Sequence, residues 1–308
     1  LLRWYGDHKK LQDGMCIHAH IMFHGFFHDV FLQGLLVQMY GKCGAMHEAS
    51  HMFHRMLYPS PYAWNFIIRS CSQQGLCDVS LQLFQQMHQQ ASIPDKFTYV
   101  SAFLACDVVE HLSYGKQMHA RILNSEIECD CAIGTAIVGM YTNFGKPNEA
   151  MASFDRIYDR DVIVWNAMLA YYGRNGHSRE ASQHFSHMLH QGLLPTKATF
   201  VSMLDSCLGE SDLPKGEKLH THILSCGTDV VLNNALINMY GKGGNMQIAC
   251  VEFKKMLSRS IVSWTTMISL CVHFANREDA FVLFNRMQQE AMMPERVTFL
   301  AILSACDS

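Results

Sequence analysis

A repeat of about 100 residues, present three times, constrains the fold of this chain more than any other feature. Five sets of residues recur in one phase with spacings of 99 or 101 positions. The sets are Trp64, Trp165 and Trp264; Tyr40, Tyr141 and Tyr240; Thr98, Thr199 and Thr298; Cys106, Cys207 and Cys306; and His18, His119 and His220. Repetition on this scale indicates a stack of similar supersecondary units, so we expect one array rather than two unrelated globular domains.

Each long repeat divides into three shorter units, and each unit carries two apolar patterns of helical period separated by a glycine. In one unit Gly176 follows the first pattern, Ala181, Phe185 and Met188 then lie at i, i+4 and i+7, and Pro195 closes the unit. Strand alternation, which two-residue hairpin turns would have to join, is absent from the sequence. The sequence therefore predicts an all-α fold, a right-handed α-solenoid (superhelix) of stacked helix-turn-helix hairpins.

Composition limits the possible functions. Apolar residues make up 49% of the 308 residues and charged residues 17%, which is enough for a buried core. The net charge of -3, from 24 Lys+Arg against 27 Asp+Glu, argues against nucleic-acid or membrane binding through bulk positive charge, but not against recognition by a few placed groups.

No Cys-x-x-Cys pair occurs among the twelve cysteines, and no apolar run is long enough for a transmembrane helix. The chain begins with Leu1 and shows no targeting segment, so we expect a fragment or a missing N-terminus.

The recurring motifs resemble the pentatricopeptide-repeat family, and specifically its plant subgroup with alternating P-, L- and S-type motifs. The matching motifs are Trp-Asn-Ala-Met at 165–168, Met-Tyr-Gly-Lys-Cys-Gly at 39–44, Gly-Lys-Gln-Met-His-Ala at 115–120, and Pro followed by Asp, Thr or Glu at 94–95, 195–196 and 294–295. The resemblance covers essentially the whole chain.

The motif phasing of the family divides the chain without gaps into eight complete motifs and one partial motif at each end. The divisions are 1–29 (partial L-type), 30–60 (S), 61–95 (P), 96–130 (L), 131–161 (S), 162–196 (P), 197–229 (L), 230–260 (S), 261–295 (P) and 296–308 (start of L-type). Since both ends cut through a motif, we expect the polar capping helices of a solenoid to lie outside this sequence.

The resemblance implies that the fifth and last residues of each motif contact one base of a single-stranded RNA. The base-reading pairs are then Asn65 with Asp95, Thr135 with Asp161, Asn166 with Thr196, Asn234 with Ser260, and Thr265 with Glu295. Gly34, paired with Ser60, offers no side chain, and Val100 and Val201 of the L-type motifs cannot hydrogen-bond a base. By the family code these positions read, from 5′ to 3′, any-U-any-G-pyrimidine-any-C-purine.

The resemblance also implies that the second residue of each motif packs between neighbouring bases. The candidates are Phe31, Tyr62, Ile163, Val231 and Val262, with Ala132 as a weaker one. Lys42, Arg174 and Lys242 share one position near the end of the first helix, and we predict that they contact phosphates.

Several conspicuous residues have simpler interpretations. His47 and His51 flank Glu48 in a zinc-protease-like pattern, but this segment occupies an ordinary helix start of the repeat, so we expect no metal ion and no cofactor. We interpret the three repeated Trp as core residues, the three repeated Cys as packing residues, and the repeated His18 and His220 as packed or hydrogen-bonded. The remaining histidine group, His184, His187 and His190, is interpreted as a solvated face.

The resulting functional prediction is a modular RNA-binding array, namely the target-selecting part of an organellar C-to-U editing factor. The family implies location in a mitochondrion or chloroplast, and a partner deaminase or editing-complex protein. The chain lacks the His-x-Glu and Cys-x-x-Cys zinc motif of deaminases, so by itself it is predicted to be no enzyme. We further expect a monomer with no membrane association. The alternatives are a protein-binding helical-repeat scaffold, an organellar RNA stabilisation or processing factor without editing, and a decayed gene fragment.

Overall fold

The computed structural model of the chain describes residues 1–123 and 130–306, and all regular secondary structure in these ranges is helical. The helices form two compact units, Leu1–Arg160 and Asp161–Ser308. The predicted motif 96–130 includes 124–129 and the final segment includes 307–308, which lie outside the described residues, as does the side chain of Cys306.

The first unit is a series of antiparallel helical hairpins. Its described helices are α1 Leu2–Asp7, α2 Leu11–Phe23, α3 Val30–Lys42, α4 Met46–His54, α5 Pro61–Gln73, α6 Cys77–Gln89, α7 Lys96–Leu104, α8 Leu112–Leu123, α9 Cys131–Asn143 and α10 Pro147–Asp155. The odd-numbered helices pack against one another in chain order. Short 3-10 helices at Phe26–His28 and Val109–His111 complete the unit's helical segments.

The second unit repeats this arrangement. Its described helices are α11 Val162–Arg174, α12 Ser178–His190, α13 Lys197–Asp205, α14 Leu213–Cys226, α15 Val230–Lys242, α16 Met246–Lys255, α17 Ile261–His273, α18 Arg277–Gln289 and α19 Arg296–Cys306, with a 3-10 helix at Glu210–Asp212. Here too the odd-numbered helices pack against one another in chain order. Among the residues that the structure covers, no helix has the length and apolar character needed to cross a membrane.

Most hairpins begin at a polar side chain that caps their first helix. A carboxylate or hydroxyl at this position accepts a hydrogen bond from a backbone N–H that has no partner within the helix, and Asp, Ser and Thr are the residues favoured there. The capping residues are Asp29, Ser60, Asp95 and Asp130 in the first unit, and Asp161, Thr196, Asp229 and Ser260 in the second.

In several hairpins the turn between the two helices has a left-handed backbone conformation. Gly75 and Gly176 occupy this place with φ of +74° and +67°, as the glycine signal in the sequence predicts. The corresponding residue of the hairpin 261–295 is Ala275, with φ of +55°. A Cβ is unfavourable in this region, so the last of these turns carries a strain that the others lack.

The repeated tryptophans form the core, as predicted. Trp64, Trp165 and Trp264 expose 2% or less of their surface. The ring of Trp64 lies edge-on to Phe53 at 4.6 Å, and that of Trp264 lies edge-on to Phe253 at 5.0 Å. Each pair joins the second helix of one hairpin to the first helix of the next, so the tryptophan binds successive hairpins together.

The repeated histidines and tyrosines bond to each other across successive hairpins. Nδ1 of His18 lies 2.8 Å from the Tyr40 hydroxyl, and Nδ1 of His220 lies 2.9 Å from that of Tyr240. The prediction of a packed or hydrogen-bonded role for these histidines is therefore confirmed. Burial lowers the pKa of His18 and raises that of Tyr240 to about 12, so both groups are neutral near pH 7.

One interpretation from the sequence is wrong. His184 does not belong to a solvated face, because it is 6% exposed and packs against Trp165 with ring centroids 4.5 Å apart. It lies three residues after Ala181 and four before Met188, and both of these are fully buried. His184 is therefore on the inner stripe of α12.

Two of the repeated cysteines are buried packing residues, as expected. Cys106 is 2% exposed and Cys207 is 3% exposed, and each thiol lies near the carbonyl oxygen four residues earlier in the chain. Burial raises the pKa of Cys106 to about 12, so its thiol stays protonated and unreactive.

Candidate nucleic-acid interface

In the hairpin 61–95 the structure brings together the predicted reading residues Asn65 and Asp95. Nδ2 of Asn65 donates to Oδ2 of Asp95 at 2.7 Å. The other carboxylate oxygen, Oδ1, caps α7 by accepting from the backbone N–H of Thr98 at 2.9 Å. The Thr98 hydroxyl in turn contacts Oδ1 of Asn65. Asp95 thus uses one oxygen to start a helix and the other to hold the amide of Asn65.

The hairpin 162–196 builds the same arrangement from hydroxyl groups. Nδ2 of Asn166 donates to the Thr196 hydroxyl at 3.1 Å, and the Thr199 hydroxyl donates to Oδ1 of Asn166 at 2.7 Å. Thr196 and Thr199 also form a reciprocal capping box at the start of α13. Asn166 is half-buried and Thr196 is exposed, so the amide is held firmly while its outer edge faces solvent.

The hairpin 261–295 departs from this pattern. The Thr265 hydroxyl lies 2.7 Å from that of Thr298, whereas Glu295, the predicted partner of Thr265, is exposed. Glutamate is absent from the favoured helix caps, since its carboxylate is one methylene farther from the backbone. The Thr265 hydroxyl is therefore held by Thr298 of the next motif and not by its predicted partner Glu295.

The reading residues of the S-type motifs are held less firmly. The Thr135 hydroxyl donates to the carbonyl of Cys131 in its own helix at 2.7 Å, and Asp161 caps α11. Ser260 forms a capping box with Ser263, at the start of α17. In the part of the chain that the structure covers, Oδ1 of Asn234 is buried and has no hydrogen-bond partner. A buried acceptor without a donor is unfavourable by about 1–3 kcal/mol, so the amide of Asn234 is less well satisfied than that of Asn65 or Asn166.

Most second-position residues project into solvent. Phe31 and Ile163 are 64% exposed, and Val231 and Val262 are about 60% exposed. Tyr62 differs, because it is half-buried and its hydroxyl donates to Gln38 at 3.1 Å. Sequence reasoning left out the equivalent residues of the L-type motifs, although Phe97 and Val297 are equally exposed. Both are the second residue of a motif, and this position in the sequence could have identified them.

A cleft in the second unit collects several predicted residues. It has a volume of about 460 Å³, and its lining includes Val262 and Val297, the reading position Thr265 with Glu295, and Lys242. Two apolar side chains from successive hairpins therefore border a polar pair and a cation. This combination suits a planar, partly polar ligand that carries negative charge.

The three predicted phosphate contacts have different surroundings. Lys42 forms an ion pair with Asp7 at 2.5 Å, which offsets its charge. Nε of Arg174 donates to the carbonyl of Ala170 at 3.3 Å. Lys242 is exposed and lies in the cleft described above, which makes it the best placed of the three to meet a phosphate.

In the two complete motifs that are predicted to be L-type, 96–130 and 197–229, the last residue forms an ion pair with the first. Lys96 binds Asp130 at 2.9 Å, and Lys197 binds Asp229 at 2.7 Å. Hydrogen bonds from the Leu232 N–H and from Lys197 lower the pKa of Asp229. Each pair joins the first and last residues of one L-type motif, so these carboxylates are already neutralised. Sequence reasoning missed these pairs because contacts across more than 30 residues have no local signal.

No group of three or more metal-ligating side chains occurs among the described residues, which include His47 and His51.

Stacked helical hairpins with a polar pair recurring in one register define an α-helical repeat protein. This chain belongs to the pentatricopeptide-repeat family. A model described as the PPR repeat family matches residues 160–209, one described as a pentatricopeptide repeat domain matches 254–308, and one described as the PPR repeat matches 34–58, 62–90 and 234–261. Together these segments cover more than half of the chain. The subdivision into P-, L- and S-type motifs stays a prediction.

Several proteins of Arabidopsis thaliana are similar over nearly the whole chain. The mitochondrial pentatricopeptide repeat-containing protein At2g03880 is 29% identical over 97% of this chain and 47% of its own length. The chloroplastic protein At1g11290 is 32% identical over 99% of this chain and 38% of its own length. The chloroplastic protein CRR2 is 31% identical over 98% of this chain and 47% of its own length. The chain therefore spans about half the length, or less, of these relatives, and their names agree with the predicted location in a mitochondrion or chloroplast.

A solved structure confirms the predicted fold class. The pentatricopeptide repeat protein PPR10, in complex with an 18-nt psaJ RNA element, superposes with a TM-score of 0.79 at 19% identity, covering 96% of this chain and 45% of that one. The chain is thus an α-solenoid of helical hairpins.

Proposed function

We propose that this chain binds single-stranded RNA sequence-specifically, with one hairpin facing one base. The observation that carries the proposal is the held amide of Asn65 and of Asn166, each fixed by two neighbours and half-exposed. An amide with one N–H and one carbonyl lone pair still free matches the mixed donor and acceptor edge of a base. The family membership and the similarity to PPR10, whose structure was solved in complex with RNA, support the same proposal.

The exposed second-position residues supply the apolar part of recognition. Bases stacked against such side chains gain about 1–3 kcal/mol each when the side chain is aromatic, and Phe31 is such a residue. The net charge of -3 predicts few phosphate contacts and a shallow dependence of affinity on salt. Recognition of the RNA then depends on contacts to base edges more than on contacts to its sugar-phosphate backbone.

We further propose that the whole protein selects cytidines for C-to-U editing in a mitochondrion or chloroplast. The support is the resemblance of the motif order to the editing subgroup. In this role the chain is a monomer that selects the target site, and a deaminase domain or a partner protein carries out the deamination. We assign no catalytic step and no cofactor to the chain itself.

The binding proposal is tested with an eight-nucleotide RNA of the pattern any-U-any-G-pyrimidine-any-C-purine. Fluorescence anisotropy should show the highest affinity for this RNA, and replacing the U opposite Asn65 by A should lower affinity about tenfold, since a good contact to a base edge discriminates by about 1–3 kcal/mol. Asn65→Ala should remove that preference and leave the preference for C at the seventh nucleotide. Equal affinity for all RNAs would contradict the code.

The alternative functions give different results. A protein-binding scaffold would show no RNA affinity and would retain its partners after ribonuclease treatment. An RNA stabilisation factor would bind the predicted RNA, but plants lacking the full-length protein would lose a transcript and keep normal editing. Loss of C-to-U conversion at a site whose neighbouring sequence fits the pattern supports the editing role.

A further inference from the structure

Three buried threonines contact the reading residues and have no role in the two-residue code. Thr98, Thr199 and Thr298 are each the third residue of a motif and are completely buried. Each hydroxyl meets the reading residue 33 positions earlier, in the preceding hairpin. The sequence marked these threonines as repeated, but a repeated residue alone does not reveal its partner.

The Thr199 hydroxyl lies within hydrogen-bond distance of three groups. The backbone N–H of Thr196 donates to its oxygen at 2.9 Å, the Thr196 hydroxyl lies 3.1 Å away, and Oδ1 of Asn166 is nearest at 2.7 Å. When the Thr196 hydroxyl donates to Thr199, both lone pairs of the Thr199 oxygen are occupied and its proton is given to Oδ1 of Asn166. This bond identifies the oxygen end of the Asn166 amide. Thr196 cannot do so by itself, because a hydroxyl both donates and accepts and thus tolerates either end of the amide.

The surroundings of Asn65 differ in one respect. Its Nδ2 group faces the Asp95 carboxylate at 2.7 Å, and an ionised carboxylate only accepts hydrogen bonds. Asp95 alone therefore fixes which end of the amide points toward it. Thr98 adds a second restraint on an orientation that is already determined.

We propose that Thr199 is a positioning residue that fixes the amide of Asn166, so that the base facing this hairpin is chosen by three residues rather than two. Thr98 plays the same part for Asn65 with a smaller effect. This inference rests on the RNA-binding function proposed above. It adds to that function a specificity determinant located in the neighbouring hairpin.

The test compares Thr199→Val with Thr98→Val. Valine has nearly the shape of threonine, and Val164 is fully buried at the equivalent position of α11, so the replacement fits the fold. With RNAs carrying each base at the fifth nucleotide, Thr199→Val should reduce discrimination about fivefold, as loss of an oriented base contact predicts. Thr98→Val should change discrimination at the second nucleotide less than about twofold. Thr199→Ser should restore the original preference.

A matched control separates positioning from helix capping. Ser263 forms the same capping box with Ser260 that Thr199 forms with Thr196. Ser263→Ala should lower thermal stability as Thr199→Val does, but should leave discrimination at the fifth nucleotide unchanged. If both variants relax discrimination there to the same extent, the effect is one of stability and the inference is wrong.

A measurement without RNA distinguishes failure of this inference from failure of the proposed function. In ¹H–¹⁵N spectra the side-chain NH₂ signals of Asn166 should shift in Thr199→Val and stay nearly unchanged in Thr199→Ser. A chain that binds no RNA but shows these shifts would overturn the proposed function and keep the positioning role. Unshifted signals, or undiminished discrimination by Thr199→Val, would overturn the inference.

Discussion

The hairpins 61–95 and 261–295 share one fold but differ near the start of their first helices and at their last residues. Both α5 and α17 begin after a capping serine and bury a tryptophan against a phenylalanine of the preceding helix. In the first, Asn65 bonds to Asp95, whereas in the second Thr265 bonds to the following Thr298 and Glu295 extends into solvent. The tryptophan core is thus the same in both hairpins although the residues at the predicted reading positions differ.

The difference shows why the last residue of a motif is so often short and polar. Asp95 caps α7 with one oxygen and holds Asn65 with the other. A longer side chain such as that of Glu295 is not suited to the capping geometry. Helix capping therefore restricts which residues are available for reading, and an N-cap signal in the sequence is at the same time a signal for the reading site.

The largest expected effect is on stability and concerns the buried tryptophan that the two hairpins share. Trp64→Ala and Trp264→Ala should each lower the free energy of unfolding by about 3–5 kcal/mol, because each leaves a cavity in a close-packed core. Denaturant titration followed by circular dichroism measures this loss. Leu257→Ala, at a fully exposed residue, should change stability by less than about 0.5 kcal/mol. A small effect at only one of the two tryptophans would mean that the hairpins are not equivalent.

The next largest effect is on base preference and concerns the residues at the predicted reading positions, in which the two hairpins differ. The double change Thr265→Asn with Glu295→Asp should give the hairpin 261–295 the reading set of 61–95, since the new carboxylate has a Thr298 N–H to accept from, as Asp95 accepts from Thr98. Preference at the eighth nucleotide should move to U by about 1–2 kcal/mol in anisotropy titrations. Either single change should give less than half of this shift. An unaltered preference would show that the code is not transferable between these hairpins.

A smaller effect concerns the left-handed turn inside the hairpins 61–95 and 261–295. Ala275→Gly should stabilise the chain by about 1 kcal/mol and Gly75→Ala should destabilise it by about 1–2 kcal/mol, because φ is positive at both positions and only glycine adopts it without strain. A Cβ at Gly75 would meet no atom within 4 Å, so conformation alone determines the result. Thermal melts of the two variants should shift in opposite directions, and shifts of the same sign would refute this explanation.

The smallest effect concerns His119 of the first unit, whose Nδ1 lies 3.0 Å from the Tyr141 hydroxyl. Burial, aided by Arg156, lowers the pKa of His119. The unfolded chain, in which histidine titrates at about 6.5, then binds protons that folded His119 resists. Stability is therefore retained above that pH and decreases as the pH falls below it. His119→Gln should flatten the decrease in melting temperature between neutral and mildly acidic pH, and an unchanged decrease would contradict this explanation.

The repeated apolar and aromatic residues predicted most of the fold. Trp64, Cys106 and His18 behave as the sequence indicated, because burial and helical period are local properties that a repeat makes visible. His184 was misjudged because two exposed histidines on the same helix suggested a polar face, although its own register with Ala181 and Met188 pointed inward.

The candidate site was only partly predictable. The fifth and last residues of the motif came from the family resemblance, and the structure adds the contact between Asn65 and Asp95. The contact between Thr98 and Asn65 and the ion pair between Lys96 and Asp130 could not be read from the sequence. Each depends on the rise and rotation from one hairpin to the next, which the pattern of one hairpin does not contain.

The contact between Asn65 and Thr98 also has a consequence for protein engineering. A chimaera joined at the motif boundary after Asp95 would take the reading amide from one parent and the hydroxyl that bonds to it from the other. A junction placed after Thr98, within the first turn of α7, would transfer the complete set. The unit that can be exchanged between arrays is therefore offset by three residues from the unit that repeats.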